Sequence, residues 1–134
     1  MSTPSTPSIL FVEDDRDIRE LLIDALEDEG YSVLAAIDGL DAVERLRAHQ
    51  AVPRLILLDL MMPRMSGAEF RNELLSTPAW SGIPIVVITA DAQGRAKARA
   101  LGAKDCLQKP VKLDRLFATI ARVLGETRSS QQFD

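Results

Sequence analysis

The chain has 134 residues, of which 46% are hydrophobic and 27% are charged, and its formal net charge is −4. This length predicts one domain with a sizeable core, and the composition is ordinary for a globular protein. The negative charge and the lack of a basic stripe argue against nucleic-acid binding through phosphate contacts. No apolar run approaches the ~20 residues of a membrane span, and the N-terminus lacks the pattern of a signal peptide. A single cysteine excludes an internal disulfide, so we expect a cytoplasmic protein that does not contact the membrane.

Short apolar runs alternate along the chain with segments in which apolar residues recur at helical spacing. The predicted strands span 9–12, 31–36, 55–58, 85–88 and 106–108, and a helix follows each, the fourth over 92–101. Five strands alternating with five helices predict an α/β fold, in which a doubly wound parallel sheet occupies residues 9–124. Residues 1–8 are polar and rich in proline, which predicts a flexible tail, and 125–134 are expected to form a frayed C-terminal tail.

The most informative stretch is the apolar run Leu55–Leu58, which is typical of a strand buried on both faces of a parallel sheet. The run ends in Asp59, and Pro63 and Gly67 turn the chain soon afterwards. Asp59 is therefore predicted to lie at the end of a buried strand, where open α/β sheets bind their ligands. Taken alone, this stretch equally fits an aspartate that only binds the turn behind it.

Other chemically active residues follow the remaining strands. The set is Glu13, Asp14 and Asp15 after the first strand, Thr89 after the fourth and Lys109 after the fifth. Because parallel strands end at one edge of the sheet, we expect these side chains to surround one crevice with Asp59. Clustered carboxylates resist ionisation unless a cation joins them, and an all-oxygen donor set favours Mg²⁺ over zinc or copper. A carboxylate beside Mg²⁺, a hydroxyl and an ammonium can receive a phosphoryl group. No glycine-rich phosphate-binding loop follows the first strand.

Four motifs carry a family resemblance: Val12-Glu13-Asp14-Asp15, Asp59-Leu60-Met61-Met62-Pro63 with Gly67, Thr89-Ala90, and Lys109-Pro110. Through them the sequence, from about Ser8 to Leu124, resembles the receiver domain of two-component response regulators. The resemblance implies a flavodoxin-like sheet with strand order 2-1-3-4-5. It also implies a histidine kinase or a histidine phosphotransfer protein as the partner that phosphorylates the domain.

The resemblance assigns a role to each residue of the crevice. Asp59 would accept the phosphoryl group, and Asp14, Glu13, Asp59 and the Met61 backbone carbonyl would bind Mg²⁺. Thr89 would contact the phosphoryl group and move towards it, while Lys109 would pair with its oxygens. Asp15 is expected to be a flanking charge rather than a ligand. The Lys109-Pro110 bond is often cis in this family.

These observations predict a phosphorylation-controlled binding module rather than a turnover enzyme. Because few residues follow the last helix, we expect a single-domain regulator whose fourth helix, fifth strand and fifth helix are read by a protein target. A phosphorelay intermediate that passes the phosphoryl group onward is the first alternative. The second is a phosphatase similar to the haloacid dehalogenases, although its nucleophile would follow the first strand. A receiver that signals without phosphate is the third.

Cys106 is the position at which the sequence departs from the family. Receivers usually carry tyrosine or phenylalanine three residues before the lysine, and that ring turns inward as the threonine moves. We expect Cys106 to be a small buried residue rather than a redox sensor. Phosphorylation should then be retained, while the coupling to the target surface should depend more on backbone movement after Thr89.

Overall fold

The structure is a computed structural model that describes residues 8–49, 52–61 and 64–132, with side chains described as far as Gly125. Strands and helices alternate along the whole of it. In chain order they are β1 (Ile9–Val12), α1 (Arg16–Asp28), β2 (Val33–Ala36), α2 (Gly39–His49), β3 (Leu55–Leu58), α3 (Gly67–Leu75), β4 (Ile85–Thr89), α4 (Gly94–Ala100), β5 (Asp105–Gln108) and α5 (Leu113–Gln132).

The five strands form one parallel sheet in the order β2-β1-β3-β4-β5. Val12, the last residue of β1, is level with Ala36 at the end of β2 and with Leu58 at the end of β3. The carboxyl ends of these strands therefore reach the same edge of the sheet. The predicted fold class and strand order are confirmed.

Both faces of the sheet are covered, which explains why the strands are apolar throughout rather than alternating. Ile9, Phe11 and Leu57 face α1 and α5, whereas Leu10 and Leu58 face α2, α3 and α4. The residues of β1 and β3 have no exposed surface. Asp59 is thus attached to the most deeply buried part of the sheet, which fixes the position of its backbone.

Two elements begin two residues later than predicted, and local hydrogen bonds explain both differences. The predicted fourth helix begins at residue 92, but α4 begins at Gly94, because the Asp91 carboxylate binds the amide of Gln93 at 2.8 Å and holds this segment in a turn. The second strand begins at Val33 rather than Tyr31. The Tyr31 amide instead donates to Leu26 at the end of α1, where Gly30 has a φ of 95°.

The fifth helix is longer than predicted. It continues through Gly125 to Gln132, over a segment expected to be an irregular tail. A glycine inside a helix costs only about 1 kcal/mol, and no proline follows Gly125 to end the helix. The predicted N-terminal tail lies, except for Ser8, outside the described residues. Within the described part of the chain, no helix has the length and apolar character needed to cross a bilayer.

A buried carboxylate joins the turn before α2 to the segment after β3. Asp38 accepts a hydrogen bond from the Asp41 amide at 2.8 Å, which caps α2, and also binds the Arg64 guanidinium through both oxygens. The Asp38 side chain is 3% exposed and that of Arg64 is 50% exposed. The Arg64 hydrogen bonds hold the pKa of Asp38 below its usual range. Asp38 therefore remains ionised although it is buried.

We predict that Asp38→Asn lowers the free energy of unfolding by about 1 kcal/mol at pH 7, because it removes the charge that binds the half-exposed Arg64. A lowered pKa stabilises the folded protein above the unfolded value of 3.8 and loses this effect as the pH falls through the folded pKa. The difference in the free energy of unfolding between wild type and Asp38→Asn should therefore become smaller in acid. Urea unfolding across this pH range measures it.

Asp24→Asn is the matched control, because it removes the same charge from an exposed position on α1. It should leave the free energy of unfolding unchanged at every pH. Equal effects of the two substitutions would show that the buried ion pair contributes nothing specific.

Candidate functional site

Backbone hydrogen bonds continue the sheet ladder into the residues that follow the strands. The Glu13 amide donates to Ala36 at 3.0 Å, the Asp59 amide to Val12 at 3.1 Å, and the Lys109 amide to Thr89 at 2.9 Å. These residues are held by the sheet and not by free loops. The predicted grouping of these residues at one edge is therefore present in the structure.

Lys109 joins the two buried carboxylates of the site. Its Nζ lies 2.7 Å from Glu13 Oε1 and 2.9 Å from Asp59 Oδ2. Glu13 is 1% exposed and Asp59 is 4% exposed, so both charges are largely removed from water. Removal of one partner from a buried ion pair leaves an uncompensated charge, which makes Lys109 structurally necessary for both acids.

The electrostatics of the site show that positive charge is scarce. Burial raises the pKa of Glu13 to about 7, and the nearby Asp59 charge adds to this effect against the opposing contacts with Lys109 and the Asp15 amide. Burial alone would lower the pKa of Lys109, but its hydrogen bonds to Glu13 and Asp59 raise it above the usual value. Lys109 is therefore a fixed cation near neutral pH, while Glu13 is near its titration point.

The acids after β1 have different positions. One carboxylate oxygen from each of Glu13, Asp14 and Asp59 lies within 4.8 Å of the other two, and Asp14 is exposed. Asp15 instead caps α1, because its Oδ1 accepts a hydrogen bond from the Ile18 amide at 3.0 Å. The structure therefore brings three of these four acids into a cluster and gives Asp15 a separate role.

This acid cluster fits a hard divalent cation. Three carboxylates face a single ammonium, and the buried Glu13 Oε1 is compensated, among the described residues, by its ion pair with that shared ammonium. A donor set made only of oxygen suits Mg²⁺, and a bound cation would offset the repulsion among the carboxylates. Glu13, Asp14 and Asp59 are the side chains that would hold it.

The segment after Asp59 turns back onto its carboxylate. The Met61 amide donates to Asp59 Oδ1 at 3.1 Å, while the Met61 side chain is 61% exposed. The predicted role of the Met61 carbonyl as a metal ligand stays a prediction, and Met62 and Pro63 lie outside the described residues. Both oxygens of Asp59 are thus oriented, one by this amide and the other by Lys109. The Lys109–Pro110 peptide bond is cis, as the resemblance implies.

Two residues of the site have their contacts on the side of α4. Thr89 is fully buried, and its Oγ1 accepts a hydrogen bond from the Asp91 amide at 3.2 Å. Cys106 is 4% exposed and belongs to the core beneath α4, and burial raises the pKa of its thiol. A raised pKa and low exposure both oppose a redox-sensing role. Cys106 has the small, buried character that the sequence predicts.

Arg19 is a further residue of the site that the sequence pattern does not reveal. Its guanidinium donates to the backbone carbonyls of Glu13 at 2.9 Å and of Asp14 at 3.3 Å. It therefore holds the turn that presents both acids. The one available signal is an arginine placed one turn into α1 after an acidic run, which is too common a pattern to identify such a contact.

Comparison with known proteins now assigns the family. A sequence model described as the response regulator receiver domain matches residues 9–121. The chain belongs to the receiver domain family. Among curated relatives, response regulator MprA of Mycobacterium leprae is 40% identical over 122 residues, and the transcriptional regulatory protein CpxR homolog of Haemophilus influenzae is 37% identical over 123 residues. Each alignment covers 90% of this chain and 52% of the relative, so the chain spans about half the length of these curated proteins.

Solved structures show the same fold. The chemotaxis protein CheY4 of Vibrio cholerae is 30% identical, with a TM-score of 0.78, over 89% of this receiver domain and 99% of that chain. The receiver domain of the sensor histidine kinase PA1611 of Pseudomonas aeruginosa is 28% identical, with a TM-score of 0.79, over 90% of this chain and 99% of that one. The latter structure has a magnesium ion coordinated in its active-site cleft.

Proposed function

We propose that this receiver domain accepts a phosphoryl group on Asp59 from the phosphohistidine of a histidine kinase or a histidine phosphotransfer protein, in a reaction that requires Mg²⁺. The observation that carries the proposal is the Asp59 carboxylate, which is buried, bound to Lys109 and clustered with Glu13 and Asp14. Family membership supports the same chemistry.

In the transfer step, a carboxylate oxygen of Asp59 attacks the phosphorus atom, and the phosphorus–nitrogen bond of phosphohistidine breaks. The electron pair of that bond goes to the imidazole nitrogen of the donor, which takes up a proton. The Met61 amide and Lys109 orient the attacking carboxylate, and Lys109 and the Thr89 hydroxyl bind the transferred oxygens. Bound Mg²⁺ would neutralise charge on the phosphoryl oxygens. Glu13, Asp14, Asp59 and the Met61 carbonyl would hold it.

The aspartyl phosphate acts as a signal and is not a product that an enzyme releases on each turnover. Thr89 moves towards the phosphoryl group and changes the surface formed by α4, β5 and α5, which a protein target reads. The proposal involves no direct contact with nucleic acid or membrane, and it gives the domain a cytoplasmic location.

Transfer of the phosphoryl group onward is the alternative output of the same aspartyl phosphate. Sustained turnover of a general phosphomonoester would instead favour the dehalogenase-like phosphatase.

An apolar groove beside Lys109 supports docking of the phosphoryl donor. It lies between α1 and the segments that follow β4 and β5, has a volume of about 390 Å³, and is lined mainly by Ile18, Leu21, Leu22, Ile88, Pro110 and Val111. Leu21 is 63% exposed, so its side chain is accessible to a partner that covers the groove. A donor that reaches Asp59 must cover this edge of the sheet, so the groove offers it apolar contact next to the reaction.

We predict that Asp59→Asn folds normally and gains no phosphoryl mass from acetyl phosphate, because an amide cannot act as the acceptor. Intact-protein mass spectrometry measures the gain, with wild type as the positive control. Stoichiometric labelling of the variant would show that Asp59 is not the phosphoacceptor.

We predict that Mg²⁺ raises the thermal midpoint of wild type and that Asp14→Ala abolishes the shift. At about five times the dissociation constant, bound Mg²⁺ adds roughly 1 kcal/mol, or about 4 °C. Without Mg²⁺ the variant should melt no lower than wild type, since it relieves repulsion in the cluster. Asp24→Asn should retain the full shift. Full phosphorylation of wild type in the presence of a chelator would contradict the Mg²⁺ requirement.

We predict that Leu21→Ser slows phosphoryl transfer from the cognate kinase by about 5-fold or more, as expected when a contact worth roughly 1 kcal/mol is lost at an interface. Labelling by acetyl phosphate should be unchanged, because this small donor needs no docking surface. A panel of the host's histidine kinases, read by intact mass, identifies the donor and gives the rate.

Leu75→Ser is the matched control, since Leu75 is a similarly exposed leucine, 51% accessible, on α3. Its transfer rate should equal that of wild type. A normal rate for Leu21→Ser with every active kinase would exclude the groove as the docking surface.

A further inference from the structure

The most constrained contact between the site and α4 is the approach of Gly94 to Thr89. A Cβ built on Gly94 would lie 2.3 Å from Thr89 Cγ2, far inside van der Waals contact, and 3.6 Å from Cys106 Sγ. The first residue of α4 therefore packs its bare Cα against the methyl group of Thr89. Any other residue at position 94 requires Thr89 or α4 to move.

Hydrogen bonds of Asp91 link the segment between Thr89 and α4 to the helix, so we expect the two to move together. Asp91 binds the Gln93 amide and the Lys97 ammonium of α4 through its carboxylate, and its carbonyl accepts a hydrogen bond from Gln108 of β5 at 3.0 Å. Its amide donates to Thr89 Oγ1. The contacts with Gln93, Lys97 and Thr89 join the segment, α4 and Thr89 into one unit centred on Asp91, and the Gln108 contact also attaches this unit to β5.

We propose that Gly94 couples Thr89 to α4 by direct steric contact, so that movement of Thr89 towards Asp59 draws the first turn of α4 with it. Close packing carries this coupling, because the space that the Thr89 methyl leaves beside Gly94 is filled only if the helix follows. The contact provides a route to α4 that needs no aromatic side chain at position 106. The inference rests on the proposed function for the event that moves Thr89, whereas the contact itself exists before phosphorylation.

The test uses a double-mutant cycle in which the second change removes the clashing atom. Gly94→Ala forces Thr89 and α4 apart, and Thr89→Ser deletes Cγ2 while retaining the hydroxyl. The remaining neighbours of a Cβ at position 94, Thr89 Cβ at 3.8 Å and Cys106 Sγ at 3.6 Å, are ordinary contacts. The double variant should therefore recover the wild-type packing.

Cys106 provides the readout, because it is the one cysteine of the chain and lies beneath α4 in the wall of a hollow of about 200 Å³. The rate at which a thiol reagent labels Cys106 in the unphosphorylated protein reports displacement of α4. We expect Gly94→Ala to label at least about 5-fold faster than wild type, Thr89→Ser within about 2-fold, and the double variant within about 2-fold, as coupling between touching residues predicts.

Gly82→Ala is the matched control, since a Cβ on Gly82 meets nothing within 4 Å. It should label at the wild-type rate. Fast labelling of the double variant, equal to that of Gly94→Ala, would overturn the proposal, and so would a wild-type rate for Gly94→Ala. If Gly94→Ala does not fold, restored folding of the double variant supports the contact, and failure of both opposes it.

A second arm separates this inference from the proposed function. Beryllofluoride, which mimics the phosphoryl group, is added to wild type while the NMR signals of the Thr89 methyl, the Gly94 amide and Lys109 are followed. Shifts of all three support the coupling. A shift at Lys109 with Thr89 or Gly94 unmoved overturns the coupling and leaves phosphoryl acceptance intact. If the Lys109 signal does not shift, this result opposes the proposed function. The labelling of the double-mutant cycle still decides whether the contact between Gly94 and Thr89 exists.

Discussion

The ammonium of Lys109, held between Glu13 and Asp59, is the interaction on which the site depends. Two carboxylates are forced together where β1 and β3 run side by side, and burial makes their repulsion costly. One cation from the end of β5 lowers that cost for both. The strand order therefore positions the residues and also determines that the single ammonium of Lys109 compensates both Glu13 and Asp59.

The shared cation leaves the site with excess negative charge, which explains its chemistry. When Glu13, Asp14 and Asp59 are ionised, Lys109 balances only one of three charges, and the Asp59 charge adds to the larger effect of burial in raising the pKa of Glu13. A bound divalent cation would relieve this excess of negative charge. In the proposed function, a phosphoryl group on Asp59 would add negative oxygens close to Lys109, so the groups that compensate the resting carboxylate would have to rearrange around a larger anion. The proposed switching and the proposed metal binding would therefore both follow from the same excess of negative charge.

Much of this arrangement is predictable from sequence, and the remainder has identifiable physical causes. Asp59, Glu13 and Lys109 could be placed together because each directly follows a predicted strand, and parallel strands bring such positions to one edge. Arg19 could not, since a guanidinium that binds backbone carbonyls needs no particular partner residue. The pairing of Asp38 with Arg64 depends on two turns meeting in space, which local periodicity does not encode. The continuation of α5 past Gly125 was missed because the apolar pattern ends there, whereas a helix ends only where its backbone is stopped.

Two small residues, Gly94 and Cys106, lie where α4 contacts the sheet. Cys106 is a small core residue whose Sγ would lie 3.6 Å from a Cβ on Gly94, and Gly94 places a bare Cα against the methyl group of Thr89. The two small residues are therefore complementary parts of one packing arrangement. A ring transmits a signal by changing rotamer, which requires a pocket to receive it. At a close-packed contact such as that between Thr89 and Gly94, neither side chain has a second pocket to enter. Such a contact can therefore transmit movement of Thr89 only by moving the backbone of α4. In this receiver domain the proposed contact between Gly94 and Thr89 would couple Thr89 to α4 without any aromatic side chain at position 106.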